Sequence, residues 1–477
     1  MADMLWTADE LKAALGADCS GAMPQGANGV SIDTRTLQRG DLFVAIRGER
    51  TDGHQYIEQA FEAGAALAVV EDGYDTVSPG PLLRVADTLE ALNALGRAGR
   101  ERTKARIVAV TGSVGKTGTK EMLRLMLSRL GSVHASEKSY NNHWGVPLSL
   151  SRLPRDADYA VFEIGMNHPG EITPLTKMVR PNAAIVTTVA PVHLEFFESV
   201  EAIAEAKAEI FAGVTPGGAA ILNRDNDQYA LLAERAGQAG IGRIVRFGRA
   251  GDAESRLTAL AISANGSAIE AELFGKSLSY TIGAPGEHLA MNSLAAIAAI
   301  QVLGSDAIHA SAALADFGAP AGRGAQTRHS IPGGTILLID EAYNANPASM
   351  TAALNVLGAL PDIHASRRIA VLGDMLELGA QSDTLHAGLA GIIEKNGIDL
   401  VYCSGPRMAA LFAALPEARR GLWTETSDAL EAPLLGALRP GDAVMIKGSL
   451  GSRMGPLVGA TKTKFPQCAP QTKTAAA

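Results

Sequence analysis

The sequence predicts an α/β protein of three domains: a small mixed α/β N-terminal domain, a central P-loop domain on a parallel sheet, and a C-terminal Rossmann-like α/β domain. Three observations support this. The 477 residues divide into roughly three units at about 150 residues each. Strand-like apolar runs alternate with helix-like segments in two separate series, which implies parallel sheets with right-handed crossovers. Only the first series opens on a phosphate-loop pattern, Thr111-Gly112-Ser113-Val114-Gly115-Lys116-Thr117.

In the first unit, residues 1–102, Thr7 and Glu10 form a T-x-x-E capping box, so a short helix should run to about Leu15, before Gly16. Strand-like runs follow at 29–32 and 42–46, around the turn signal Arg39-Gly40. A helix-like stretch at 55–63, an apolar run at 66–70, a loop at 72–81 and a helix over 88–102 complete the unit. The second unit, residues 103–322, has strand-like runs at 106–110, 159–164, 184–189, 219–222 and 244–247. Helical segments at 115–130, 199–211 and 228–239 separate most of them. Residues 257–279 alternate like antiparallel strands, and 286–303 reads as an Ala-rich buried helix. The third unit, residues 323–461, has strands at 335–340, 368–372, 399–402 and 443–446, with no phosphate-loop glycines of its own. Residues 462–477 are polar, contain proline and are expected to be disordered.

Composition excludes several classes. Lys+Arg is 42 against 50 Asp+Glu, a net charge of −8, which argues against a nucleic-acid or general polyanion binder. The three cysteines, Cys19, Cys403 and Cys468, are widely spaced and fit neither a disulfide framework nor a structural zinc site. The N-terminus is acidic and lacks the features of a signal peptide. The most apolar stretch, 289–303, is broken by Asn292, Ser293 and Gln301, short of the ~20 apolar residues of a bilayer span. A cytoplasmic protein without membrane association is expected.

The phosphate-loop pattern follows a strand and opens a helix, the context it needs. Its glycines let backbone N–H groups close around phosphate oxygens, and the helix N-terminus adds partial positive charge. Lys116 would reach the β- and γ-phosphates, and the Thr117 hydroxyl would hold Mg2+. Val110 stands where the general pattern has its first glycine, so the loop is a shortened variant of the P-loop ATPase type. Glu163, near a strand's C-terminal end, would face the ligand crevice as a metal ligand, or it is a solvated strand-end acid. His193 lies in the loop APVHLEFF, either a metal or phosphate contact or a surface histidine. Lys207, flanked by Glu205 and Glu209, reads as part of an exposed, charge-balanced helix face. Arg323 lies at the suspected boundary between the second and third units. There it would swing onto a γ-phosphate on domain closure or remain a solvated loop charge. Asp340 to Pro347 ends a strand at a βα turn, a polar ligand or metal site with Asn346 as a plain N-cap the alternative. Gly373 to Gly379, GDMLELG, occupies the same kind of turn, and its acids fit helix starts equally well.

In order and spacing, TGSVGKT, NNHWGVP (141–147), the Glu163 strand, His193, AKAEIF, Asn292, Gly322-Arg323, YNANP and GDMLELG resemble the Mur ligase family. The resemblance spans about residues 31–454. These are ATP-dependent amide ligases of peptidoglycan precursor synthesis. YNANP, GDMLELG and Asn141-Asn142 resemble the branch that joins D-Ala-D-Ala to UDP-N-acetylmuramoyl-tripeptide through an acyl phosphate. The motifs of the branch that adds the third residue, a Tyr-Ala-His turn and Asp-Asn-Pro-Arg, are absent.

The resemblance implies a division of labour. Residues 1–102 would grip the UDP end, since residues 32–54 are similar to the family's nucleotide-sugar-binding domain. Thr34 (where serine is common), Arg35, Arg47, Asn141 and Asn142 would face that substrate. The loop Thr111–Thr117, Asn292, Arg323, Asp340, Glu341 and Asn344 would bind ATP, with either Asp340 or Glu341 facing the site. Thr117, Glu163 and His193 would serve Mg2+. Lys207 matches the family's carbamylated lysine, which helps to hold a second Mg2+. Lys116, Glu163, His193, Lys207 and Arg323 form the implied catalytic set. The third unit would receive D-Ala-D-Ala, with Lys447-Gly448-Ser449 the candidate contact, and the enzyme would act as a monomer. A folate polyglutamylating ligase shares the ATP site but not the N-terminal pattern. A guanine-nucleotide switch would need Asn-Lys-x-Asp; the nearest match, Asn223-Arg224-Asp225-Asn226, lacks the lysine and the final aspartate.

Overall fold

The computed structural model describes residues 4–48, 51–75, 78–192, 194–263, 266–361 and 365–468. The capping box forms as expected: Thr7 caps the helix Ala8–Leu15 together with Glu10, and Gly16 ends it in the left-handed region. The first sheet has five strands, ordered Cys19–Ser20, Leu82–Val85, Leu67–Glu71, Leu42–Val44 and Val30–Ser31, all parallel except the first. Leu82–Val85 is a strand the sequence reading lacks, because Arg84 and Pro81 interrupt its apolar pattern. Residues 76–77 of the expected loop lie outside the described residues.

The second sheet has nine strands. Arg106–Thr111, which leads into the phosphate loop, lies between Tyr159–Glu163 and Ala183–Val186, all parallel. Ala219–Asn223 and Arg243–Gly248 continue it in parallel. Ser255–Ser263 adds in parallel to Arg243–Gly248, and Gly266–Leu273 and Lys276–Ile282 follow it in antiparallel succession, as the alternation at 257–279 predicts; Val133–Ala135, parallel to Tyr159–Glu163, forms the other edge. The central strands are buried on both faces, hence their continuous apolar runs. Val108 and Val110 pack under the phosphate-loop helix Lys116–Leu127 and the Ala-rich helix Glu287–Val302. Ile107 and Ala109 face the opposite layer, with Ile203 and Phe211.

The third sheet has six strands, ordered Ala325–Ile331, Gly334–Glu341, Asp442–Lys447, Arg367–Gly373, Leu400–Ser404 and Arg420–Thr424, parallel but for the first. Both edge strands are new relative to the sequence reading, because half-exposed edges show no apolar run. The expectation of disorder from residue 462 is corrected for 462–468. The helix Gly455–Lys464 runs through it, and Phe465 is buried, its carbonyl accepting 2.7 Å from His329 Nδ1. Cys468 N–H then bonds Arg328 O at 2.9 Å along the sheet edge. Residues 469–477 lie outside the described residues.

One short helix, Gly145–Ser151, joins the first sheet to the second. All seven of its residues are buried, and Leu148 belongs to the core under the first sheet. Gly99 lets the helix Thr88–Glu101 approach closely; a Cβ there would lie 2.3 Å from Leu150 O. Trp6 Nε1 donates to Ser151 O at 2.7 Å, and the Arg102 guanidinium stacks 3.6 Å from the Trp6 ring centroid.

Candidate active site

The phosphate loop runs from the strand end at Thr111 to the helix start at Lys116. A Cβ on Gly112 (φ +146°) would lie 1.9 Å from Thr187 Oγ1, and one on Gly115 (φ +87°) would lie 2.7 Å from Asn292 Nδ2. Both glycines are therefore required by contact as well as by backbone. Thr187, at the end of the neighbouring strand, donates its hydroxyl to Val114 O at 2.6 Å. Ser113 N–H bonds Thr188 O at 2.8 Å, and Ser113 Oγ bonds Ala190 O at 3.1 Å. The loop that lacks its first glycine is thus held by the residues after the adjacent strand.

Lys116 Nζ folds over its own loop and donates to Gly112 O at 2.7 Å. Burial pushes its pKa below the lysine value; Glu163 opposes the shift and Arg323 adds to it. Glu163, 1% exposed, accepts from the Thr117 hydroxyl at 2.8 Å and from Asn141 Nδ2 at 2.7 Å. Ser139 Oγ lies 3.4 Å from Thr117 Oγ1 and accepts from Arg323 Nη2 at 3.0 Å. The Arg323 guanidinium also stacks 4.1 Å from the Tyr343 ring centroid. Four segments from across the sequence therefore converge: the phosphate loop, the Glu163 strand end, the Ser139–Asn141 bend and the Arg323 hinge. The Asn292 amide lies against Gly115.

The exposed-face reading of Lys207 is corrected: the residue is 3% exposed. Glu205 is taken by Arg235 (2.6 Å), and Glu209 accepts from Gly170 N–H (2.6 Å) and Thr173 N–H (2.9 Å). Among the described residues no hydrogen bond or ion pair reaches Lys207 Nζ. Burial drives its pKa well below the lysine value, with Lys116 adding to the effect. That shift favours the uncharged amine, the nucleophilic form. His193 lies outside the described residues. Just after it, Glu195 N–H bonds Glu377 O of the GDMLELG turn at 3.2 Å.

Consecutive strand residues point to opposite faces, which separates Asp340 from Glu341. Glu341 Oε2 pairs with the buried Lys447 at 3.1 Å and faces His288 beside Arg323 and Gly324. Asp340 Oδ1 accepts from Ala342 N–H, and its other oxygen lies 3.7 Å from Lys462 Nζ. The Asn344 carbonyl accepts from Lys447 Nζ at 2.9 Å, while its side chain bonds Ala345 N–H. Lys447 therefore braces the YNANP turn from inside, away from an open surface. Asn346 is the N-cap of the helix Pro347–Gly358. Asp374, in GDMLELG, accepts from Met408 N–H at a helix start.

The N-terminal candidates stand apart from this cluster. Thr34 Oγ1 bonds Gln59, Arg35 makes a paired contact to Asp33, and Arg47 reaches Asp52 and Glu71. Trp144 packs against Gly48, so the Arg47 loop adjoins the Asn141-Asn142 segment. Asn142 Oδ1 accepts from Gly145 N–H at 2.9 Å and so starts the joining helix. Beside it a cleft of about 640 Å³ opens between the helices Thr88–Glu101 and Ile172–Val179.

The donor chemistry around Thr117 suits Mg2+. It offers hard oxygens from one carboxylate and hydroxyls beside a phosphate loop, the set with which Mg2+ is held through substrate phosphates and water. Among the described residues no three His, Cys, Asp or Glu gather as a protein-only cage.

Fold and site together are those of an ATP-dependent ligase built from three α/β units around a phosphate loop, and family comparisons agree. Descriptions of the Mur ligase family catalytic domain, Mur ligase middle domain and Mur ligase glutamate ligase domain match residues 27–98, 110–300 and 322–450. The chain belongs to the Mur ligase family. It is 32% identical to the UDP-N-acetylmuramoyl-tripeptide–D-alanyl-D-alanine ligase of Rickettsia prowazekii, over 95% of this chain and 99% of that one. It superposes on MurF from Acinetobacter baumannii with a TM-score of 0.84 at 30% identity, covering 97% and 100% of the two chains. MurF ligase from Thermotoga maritima in complex with ADP gives 0.76 at 26% identity, covering 91% and 97%. Among the described residues no helix is long and apolar enough to cross a membrane.

Sequence reasoning missed Ser139, Thr187 and His288, and took in Tyr343 only as part of the YNANP turn, without its contact to Arg323. The strand-end argument that finds Glu163 on one side of the phosphate loop would find Thr187 on the other.

Proposed function

We infer that this chain is an ATP-dependent ligase that joins the amine of D-Ala-D-Ala to the terminal carboxylate of UDP-N-acetylmuramoyl-tripeptide. The observation that carries the reading is the convergence of Lys116, Thr117, Glu163, Asn141 and Arg323 around the phosphate loop. In the reaction a substrate carboxylate oxygen attacks the γ-phosphorus and ADP leaves. The amine then attacks the acyl carbon, and phosphate leaves from the tetrahedral intermediate as the nitrogen loses its proton. Such chemistry needs positioning and charge neutralisation rather than a protein nucleophile.

The residue roles rest on position together with the family resemblance. Loop N–H groups and Lys116 hold the β- and γ-phosphates. Asn292, beside Gly115, and Glu341, with Asn344 in the adjoining turn, serve the nucleotide. Arg323 turns from Ser139 to the γ-phosphate as the C-terminal unit closes and excludes water. Thr117 and Glu163, with His193, would hold Mg2+, which would supply positive charge beside the transferring phosphate. The Lys207 amine would attack CO2 and lose a proton, and the resulting carbamate would supply an anion able to hold a second Mg2+. Its burial without a partner supports this. Thr34, Arg35, Arg47 and the Asn141-Asn142 segment address the UDP-sugar substrate. The need for ATP and a UDP-linked precursor points to a cytoplasmic enzyme, and one chain provides every residue of the scheme, as a monomer requires.

The test is phosphate release from ATP with UDP-N-acetylmuramoyl-tripeptide and Mg2+, with and without D-Ala-D-Ala. Release that needs all three substrates, with the pentapeptide product seen by mass, is expected. Release that responds to a different amino acid instead would overturn the amine assignment. No release with any amine would overturn the ligase reading.

A further inference from the structure

Lys120 sits one turn beyond Lys116 in the phosphate-loop helix and is 0% exposed. Its Nζ donates to Ser136 O at 2.7 Å and to Lys138 O at 2.6 Å, and lies 3.0 Å from Glu121 Oε1. A buried lysine head group is costly unless all of its donors find acceptors, and here three oxygens receive them. Two are main-chain carbonyls of a single bend. Ser136 N–H bonds Val161 O, fixing one end of the bend to the Glu163 strand. Lys138 has φ +48°, a region that costs a non-glycine residue of order 1 kcal/mol or more and persists where the surroundings hold it. The chain leaving this bend supplies Ser139, which meets Thr117 and Arg323, and Asn141, which meets Glu163.

We propose that Lys120 is a positioning residue for this site: its head group pins the 136–138 bend and so sets Ser139 and Asn141 against Arg323 and Glu163. The proposal rests on reading the site as that of a magnesium nucleotide. The helix thereby does two jobs from one face. Lys116 and Thr117 address the ligand directly. One turn later, Lys120 orders the loop that aligns the carboxylate and the hinge arginine. Without the pin the bend relaxes toward an unstrained φ at Lys138, and Asn141 leaves Glu163.

The test compares the full chain with Lys120→Met, which keeps length and apolar stem but has no donor. Hydrogen exchange is followed at the amides of 138–142 and of the helix 116–127, and Mg2+-dependent binding of an adenine nucleotide is titrated. The variant should exchange faster at 138–142 while the helix keeps its protection. The Mg2+ needed for half-maximal binding should rise about 10–100-fold, the usual effect of losing a residue that orients a metal ligand. Unchanged exchange and Mg2+ dependence would overturn the proposal, and so would faster exchange spread evenly over helix and bend. If Lys120→Met does not fold, Lys120→Arg, which retains donors, is combined with Asn141→Ala. The double variant should then need no more Mg2+ than Asn141→Ala alone; additive losses would refute action through Asn141. A wild-type chain that binds no adenine nucleotide would defeat the functional reading and leave exchange at 138–142 as the deciding measurement.

Discussion

Gly112→Ala tests the phosphate-loop geometry most directly. The new methyl would lie 1.9 Å from Thr187 Oγ1 and 3.2 Å from Thr187 N. Ordinary contact is about 3.5 Å or more, so the loop or Thr187 must move by about 1.5 Å. If Thr187 rotates, its hydroxyl leaves Val114 O, at a cost of about 1 kcal/mol. The backbone at φ +146° adds about 1–3 kcal/mol once a side chain is present. The total of about 2–4 kcal/mol corresponds to a loss in nucleotide affinity of about 30- to 1,000-fold if it falls on binding. The assay is titration with a fluorescent adenine nucleotide, with circular dichroism to confirm the fold. Removing the obstructing hydroxyl in Gly112→Ala/Thr187→Ala should recover part of the loss. A folded Gly112→Ala protein that binds within threefold of wild type would refute the reasoning.

Lys116→Met should abolish ATP turnover while the circular dichroism spectrum stays that of the wild type, because the lost donor serves the loop and its phosphates; near-normal turnover would remove its phosphate role. Lys207→Ala should lose activity that short carboxylic acids partly restore, and absence of rescue together with an unmodified lysine by mass would count against the carbamate. Burial lowers the pKa of His134 from 6.5 to about 4 as its Nε2–H bonds Ser149 O. The unfolded state therefore binds more protons in this range, and stability should fall as pH drops from about 6.5 to about 4, by about 3 kcal/mol at about 1.4 kcal/mol per pH unit. His134→Gln should flatten that part of the urea-melt profile; an unchanged acid slope would reject the assignment. Trp6→Phe, which leaves Ser151 O without its donor, should cost about 1–3 kcal/mol by urea melts, and an unchanged midpoint would show that the contact is dispensable.

The parts of the site that follow local rules were legible in the sequence. Glycines before a helix start mark the phosphate loop, and a carboxylate at a parallel strand's end marks Glu163. Lys207 shows where the reading used the wrong neighbours. Glu205 and Glu209 are two positions away and lie on the far side of a helix. The neighbours at three and four positions are Ile203, Ala204, Ile210 and Phe211, all buried, and they place Lys207 on the apolar face. Ser139 carries no local signal, because its partner Arg323 lies 184 positions away. Edge strands such as Ala325–Ile331 escape for a different reason: one side faces solvent, so polar residues break the pattern.

The short helix that joins the first two sheets has a consequence for how this chain can be cut or recombined. Residues 102–103 look like a seam in the sequence, yet the core beneath the first sheet borrows Leu148 from beyond it, and Trp6 is anchored on Ser151 O. A fragment ending at 102 would leave that core open, and a chimera made by exchanging the first hundred residues with a relative would inherit a mismatched plug. Exchange should carry residues 141–153 along with the N-terminal segment. The same borrowed helix begins one residue after Trp144, which packs on Gly48, and four after Asn141, which grips Glu163, so any graft that disturbs it reaches both loops at once.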